Sequence, residues 1–208
     1  MMKNRLHMFK NKSIWAALVL PILFVWGCDF GVDPSPRPGV LRVTLQAAPE
    51  DSVLEVQGQR YTARDRNDFE MIVFQGRALN DSLYADLYPD LDAFRQEDQV
   101  YDILEFEGGQ PVQYTIFETH LPPATYDRLE FGLNADSISV NNETTFLDIG
   151  VDLAEGEEQP LAFDTEFTIT ENDTTIIHLQ VRPFDSITRF RDSYRFSRDF
   201  EIVDIEKR

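Results

Sequence analysis

The chain has 208 residues, with 37 Asp plus Glu against 19 Lys plus Arg, a formal net charge of −18 at neutral pH. Nucleic acid and anionic lipid headgroups are held by cationic side chains that meet phosphates, so this acid excess excludes nucleic-acid binding as the main role. Cys28 is the one cysteine, which excludes a disulfide framework within the chain.

Lys3, Arg5, Lys10 and Lys12, with no acidic residue among them, precede an apolar run over residues 14–26. That run is shorter than the roughly 20 residues a membrane-spanning helix needs, so it reads as a secretory signal rather than a transmembrane anchor. Val25, Trp26, Gly27 and Cys28 at its end resemble the lipobox of bacterial lipoproteins. Gly27 and Cys28 match, Val25 is an allowed variant, and Trp26 is bulky for its place. The resemblance implies cleavage before Cys28 and acylation, palmitate included, of the mature N-terminus. It further implies a lipid-anchored, extracytoplasmic protein of the bacterial cell envelope, at the outer membrane in preference to the inner. Each buried methylene contributes about 0.8 kcal/mol, so one acyl chain binds a membrane reversibly and two or more hold it stably. Lipidation uses the sole thiol, leaving none for a metal or a nucleophile.

Without the leader's four basic residues, 15 remain against 37 acids, a net −22, and Lys207 is the only lysine among them. The expected organisation is a signal peptide over residues 1–27, a lipidated cysteine with a tether over 28–38, and one domain over 39–206. Pro34, Pro36 and Pro38 at alternate positions fix the tether as an extended segment.

From Gly39 onward, strand patterns dominate. Leu41, Val43 and Leu45 alternate with Arg42, Thr44 and Gln46, the period of a strand with one wet face. Residues 53–61 predict a second strand weakened by Gly58, and 69–74 a more continuously apolar central strand. Residues 79–99, where acids interleave with apolar side chains, predict a short helix or an elaborated loop. Residues 101–106 and 112–117 about Gly108 and Gly109 predict a hairpin. Leu129, Phe131 and Leu133 mark the next strand, and residues 137–140 and 145–151 flank a turn at Asn141 and Asn142. Phe163, Phe167 and Ile169, a turn at Asn172 and Asp173, then Ile177, Leu179 and Val181 predict the clearest hairpin. Tyr194, Phe196, Phe200, Ile202 and Ile205 close the chain. The fold class is all-β: a single antiparallel β-sandwich domain behind an N-terminal lipoprotein signal peptide. A domain of this size buries about 70% of its unfolded surface, enough to stand without disulfides.

Gly39, Val40, Leu41, Arg42 and Val43, closing on Ala47, Ala48 and Pro49, resemble the opening strand of the bacterial family called domain of unknown function 4382. Ala47 stands where that family has an aspartate. Residues 121–129, from Leu121, Pro122 and Pro123 to Tyr126, Asp127 and Arg128, are similar to its loop-to-strand signature, with Ala124 in the region of a usual glycine. Asp185, Ser186 and Ile187, followed by Tyr194 and Phe196, are similar to its closing segment. The resemblance implies a secreted, often lipidated β-sandwich and no activity.

Chemistry-bearing patterns are sparse. His178 lies on the outward phase of a strand and His120 beside a Pro-Pro turn, places for surface residues rather than bases. No serine lies in a Gly-x-Ser-x-Gly elbow, and no His-Glu-x-x-His or Cys-x-x-Cys spacing points to zinc or iron. Asp164 and Glu166 share one strand face, where solvated carboxylates are the ordinary outcome and acid and base for glycoside chemistry the exceptional one. Calcium takes six to eight oxygens, and Asp86, Asp90 and Asp92 in the irregular stretch are the candidate donors, without the EF-hand pattern. No other cofactor is expected. Three functional classes follow. The first is a non-catalytic envelope lipoprotein, an adhesion, ligand-binding or structural accessory module for an unknown protein or glycan. The second is a carbohydrate-binding lipoprotein using exposed tyrosines such as Tyr84 and Tyr88, and the third a hydrolase.

Mutual repulsion among 37 carboxylates is screened as the Debye length shrinks from about 10 Å at 0.1 M salt to about 3 Å at 1 M. The melting temperature is therefore expected to rise between low and molar salt in scanning calorimetry; a flat or falling profile would contradict this salt adaptation.

Overall fold

Two long strands with opposite directions and shared apolar phase form the spine of the fold. The computed structural model describes residues 35–62, 68–81, 83–141, 146–153 and 159–208. Among them the strands are β1 (Gly39–Ala47), β2 (Val53–Val56), β3 (Gln59–Thr62), β4 (Asp68–Asn80), β5 (Leu83–Asp86), β6 (Gln99–Asp102), β7 (Phe106–Glu107), β8 (Gln110–Pro111), β9 (Tyr114–Leu121), β10 (Ala124–Asn141), β11 (Phe146–Leu153), β12 (Leu161–Ile169), β13 (Thr174–Val181), β14 (Ile187–Phe190), β15 (Ser193–Phe196) and β16 (Phe200–Lys207). No helix occurs among the described residues.

The spine is β4 against β10. Both edges of this ribbon fork: β10 takes β12 along its first half and β11 along its second, while β4 takes β6 and then β5. β15 and β14 extend the sheet beyond β11. The facing sheet has the order β16-β13-β1-β9. The fold is an all-β sandwich, as expected, with two departures from a purely antiparallel arrangement. β1 runs parallel to β13, and β11 parallel to β15.

Leu41, Val43 and Leu45 of β1 and Ile177, Leu179 and Val181 of β13 meet Phe69, Met71, Val73, Leu129, Phe131 and Leu133 of the spine in one buried cluster. Phe131 is its hub. Its ring lies 5.9 Å from that of Phe117 on β9, 6.0 Å from Phe163 on β12 and 6.4 Å from Phe200 on β16, so one side chain joins both sheets. Aromatic pairs at such separations contribute about 0.5–1.5 kcal/mol beyond their area burial.

The ladder slips opposite Phe131. Glu130 pairs with Arg77 and Gly132 with Phe74, which leaves Gln75 and Gly76 together facing one residue, a β-bulge. Gln75 takes a positive φ of 51° to form it. The freed Gly76 carbonyl accepts the Leu87 N–H at 2.9 Å and the Gln96 side-chain amide at 2.6 Å, which anchors residues 87–98.

Several sequence expectations change. Residues 53–61 form a hairpin, β2 with β3, because Gln57 and Gly58 both adopt positive φ and turn the chain. The hairpin about Gly108 and Gly109 shrinks to β7 with β8, because β6 joins β4 while β9 joins β1. β12 and β13 do not pair: residues 170–173, with Asn172 at φ 59°, carry the chain from one sheet to the other. The buried Thr175 hydroxyl spans this arch by donating to the Thr168 carbonyl at 2.9 Å. Residues 79–99 hold the end of β4, β5 and an irregular loop, so of the two expectations the loop is found. Asp51, buried after β1, accepts the Phe184 N–H at 2.7 Å and the Asp185 N–H at 3.2 Å. Burial raises its carboxyl above the ordinary aspartate range, while the two N–H donors pull it down.

A methyl group on Gly76 would stand 2.5 Å from the Phe117 ring, which is buried and packs against Phe131. Gly76→Ala is expected to cost about 1–3 kcal/mol through this overpacking. Thermal or urea unfolding checks it, with Gly150→Ala, where the added methyl meets nothing within 4 Å, as the reference.

Candidate functional site

On the outer face of the large sheet, register brings four strands into one row. Tyr84 of β5 pairs with Leu79 of β4, Leu79 with Arg128 of β10, and Arg128 with Asp164 of β12. A slip in the β10–β12 ladder, where Asp127 faces both Thr165 and Glu166, sets Arg128 opposite Asp164. The guanidinium Nε then donates to the Asp164 carboxylate at 2.6 Å. The neighbouring row is Asp86, Arg77 and Glu130, with Arg77 3.8 Å from each carboxylate.

The first row walls an open depression of about 590 Å³, lined by Leu79, Asn80, Asp81, Tyr84, Asp127, Arg128 and Asp164. Tyr84 is 66% exposed. The Arg77 guanidinium lies 5.4 Å from its ring centroid, a cation–π contact that steadies one face of the ring. The turn after β4 is held too: the Asn80 side-chain amide donates to the Thr125 carbonyl, and the Asp81 N–H donates to Asp127 Oδ2 at 3.2 Å. The result is a positioned aromatic plate beside carboxylate, amide and guanidinium groups.

Of the tyrosines expected at a sugar site, the structure brings only Tyr84 to this place. Tyr88 is half-buried, its N–H donating to Thr119 Oγ1 at 2.7 Å and its carbonyl accepting the Glu118 N–H at 2.9 Å. Asp164 belongs to the depression through its ion pair, whereas Glu166 does not line it. The candidate calcium donors do not converge. Asp86 faces Arg77 on β5, and Asp90 turns back to accept the Asp92 N–H at 2.9 Å. Among the described residues no three His, Cys, Asp or Glu side chains form a group able to hold a metal ion. Cys28 lies outside the described residues. No helix among the described residues is long and apolar enough to cross a membrane.

His120 is exposed on β9. His178 is half-buried on the outer face of the smaller sheet, and its surroundings are more structured than its sequence position implied. Nδ1 stands 2.8 Å from the Thr44 hydroxyl, and Nε2 stands 3.1 Å from Glu206, which also accepts from Arg208 at 2.9 Å. With Nε2–H donating to the carboxylate, Nδ1 accepts from Thr44. Hydroxyl, imidazole and carboxylate thus stand in the order of a nucleophilic triad, yet Thr44 is only 5% exposed within a flat sheet face. A substrate carbonyl has no approach to its oxygen. The line is a cross-strand clamp joining β1, β13 and β16.

Arg77, Asn80, Asp81, Asp127 and Arg128 are the site residues that sequence reasoning passed over. Asn80 and Asp81 carry a turn signal, and Asp127 and Arg128 stand in the motif beginning at Leu121, but neither signal says that the two segments meet. No protein-family model, curated protein or solved structure matches this chain.

Hydrogen bonds from His178, ahead of those from Arg208, hold the Glu206 carboxyl below the ordinary glutamate range. A carboxylate lowered in this way stabilises the fold above the ordinary value of about 4.3 and loses that contribution as pH falls through the lowered one. Glu206→Gln is therefore expected to melt earlier at neutral pH, with the deficit closing below about pH 4. Melting curves of both proteins across pH 3–8 check it, and a deficit constant over that range would contradict the clamp.

Proposed function

We propose that this protein is a non-catalytic, lipid-anchored module of the bacterial cell envelope, tethered through acylated Cys28 at the outer membrane, that binds carbohydrate at the Tyr84 depression. The observation that carries the reading is the Tyr84 ring: two-thirds exposed, with Arg77 against one face, and flanked by Asn80, Asp81, Asp127 and Asp164. A sugar ring presents C–H edges of positive character, which meet the negative face of an aromatic ring. Its hydroxyls find carboxylate acceptors and amide or guanidinium donors around the plate, the pattern of an apolar surface with a few orienting polar groups. Asp164 is committed to Arg128 at 2.6 Å, which argues against its service as a glycosidase acid or base. The leader pattern, the lipobox-like end at Cys28 and the proline-alternating tether support the envelope placement. The short-motif resemblance to the domain of unknown function 4382 fits a secreted sandwich and supplies no activity.

Retention of the full-length chain, in neutral detergent, on an array of bacterial and plant glycans tests the binding half. Tyr84→Ala is expected to weaken retention roughly tenfold, the equivalent of about 1.4 kcal/mol of stacking. Equal retention by the variant, or none by the parent chain, would overturn the reading. The anchoring half is tested by fractionation: Cys28→Ala is expected to leave the membrane fraction and block incorporation of labelled palmitate.

A further inference from the structure

The β14–β15 hairpin gathers three arginines in a chain rich in acids. Arg42, Arg77, Arg128, Arg182 and Arg208 each reach a carboxylate. Arg189, Arg191 and Arg195 cluster on one hairpin, and among the described residues no carboxylate lies within 4.0 Å of any of them. In a protein with more than twice as many acids as bases after its leader, this concentration of unneutralised charge stands apart.

The cluster is organised around Phe190. The Arg195 guanidinium lies 3.6 Å from the ring centroid and that of Arg191 5.2 Å, so the ring carries two cations. Asp152 pairs with Arg195 in the strand register, yet Arg195 is drawn over the ring instead. Arg189 is fixed by its Nε–H donating to the Arg191 carbonyl at 3.1 Å, across a turn where Arg191 takes φ 57°. Beside them lies an open depression of about 440 Å³, which Asp152 and Asp192 also line. A guanidinium stacked on a ring keeps its N–H edges free, and those edges form the fork that matches carboxylate, sulfate or phosphate oxygens two at a time.

We propose that this hairpin is a binding site for an anionic polysaccharide, independent of the Tyr84 depression. Repeating oxyanions along such a polymer match guanidiniums spaced along the hairpin, while the Phe190 ring offers a plate to the sugar itself. A flat anionic bilayer is the poorer partner, because it would repel the acidic body.

The test measures binding of the full-length chain, in neutral detergent at 0.1 M salt, to immobilised polygalacturonate, with neutral dextran and phosphatidylglycerol vesicles as comparison surfaces. Binding to polygalacturonate is expected to weaken as salt is raised and to fall at least tenfold in the triple variant Arg189→Gln, Arg191→Gln, Arg195→Gln. The control Arg37→Gln, Arg60→Gln, Arg95→Gln removes equal charge elsewhere and is expected to bind as the parent does. The single Arg195→Gln variant, with melting temperature and oligomeric state recorded for every protein, separates lost recognition from lost folding. The proposal is overturned by absent binding, by equal loss in both triple variants, or by capture on vesicles but not on polygalacturonate. Association of the hairpin variant with unchanged polymer binding would also overturn it, assigning the arginines to protection of an open sheet edge.

Discussion

The slip opposite Phe131 in the β4–β10 ladder sets the relation between the core and the outer face. Gln75 and Gly76 oppose Phe131 together, and the absence of a side chain at Gly76 gives the Phe117 ring its place against Phe131. The same bulge turns the Gly76 carbonyl toward Leu87 and Gln96, so the loop over residues 87–98 is held by backbone that left the ladder. Beyond it, β4 continues with Arg77 and Leu79 in the register that pairs β5, and Tyr84 inherits its position from that register. Bulges of this kind commonly re-aim side chains near sites. Here one bulge serves inter-sheet packing, loop anchoring and the placement of the aromatic plate.

Glycine paired with phenylalanine recurs on the opposite face. A methyl at Gly132 would stand 2.2 Å from the ring of Phe74, its cross-strand partner. The two glycines of the spine are thus covered by rings, one from the facing sheet and one from the neighbouring strand. A glycine inside a strand gives up packing and gains flexibility, and an aromatic ring laid across it restores the lost contact. The spine remains continuous through a segment whose composition would otherwise interrupt it.

Period-two alternation made the strands legible, and with them the sandwich class: Leu41, Val43 and Leu45, or Leu129, Phe131 and Leu133, can be placed on an inner face without any structure. Alternation cannot say which strands become neighbours. β12 and β13 both turn their apolar residues inward, and a hairpin in one sheet and an arch between two sheets demand the same pattern of them. The four-residue turn with Asn172 at positive φ serves either outcome, and only the partners β10 and β1 decide. Gly58 alone reads as a weakness in one strand, because its neighbour Gln57 is not a residue that announces a positive φ. The site suffered the same limit more severely. Tyr84 and Asp164 were each singled out, but for different chemistry, and their meeting depends on the registers of four strands and on a slip that sequence does not mark. Arg128 was invisible for a related reason: its role comes from standing opposite Asp164.

The near absence of lysine acquires a structural meaning on these faces. Arg77 stands between Asp86 and Glu130, and Arg182 reaches both Glu50 and Glu201, so a single guanidinium relieves two carboxylates at once. Exposed ion pairs contribute only about 0–1 kcal/mol each, too little to account for the fold's stability. Their larger effect is to interrupt rows of like charge that would otherwise run across adjacent strands, where directly opposed like charges destabilise the sheet. A planar fork with five donors can do this from one position, and a lysine ammonium is a less effective bridge. Arginine spent in this way is locked to the sheet. The three on the β14–β15 hairpin gather about the Phe190 turn instead, a cluster of unbridged guanidiniums on a surface where Arg77 and Arg182 each bridge two acids.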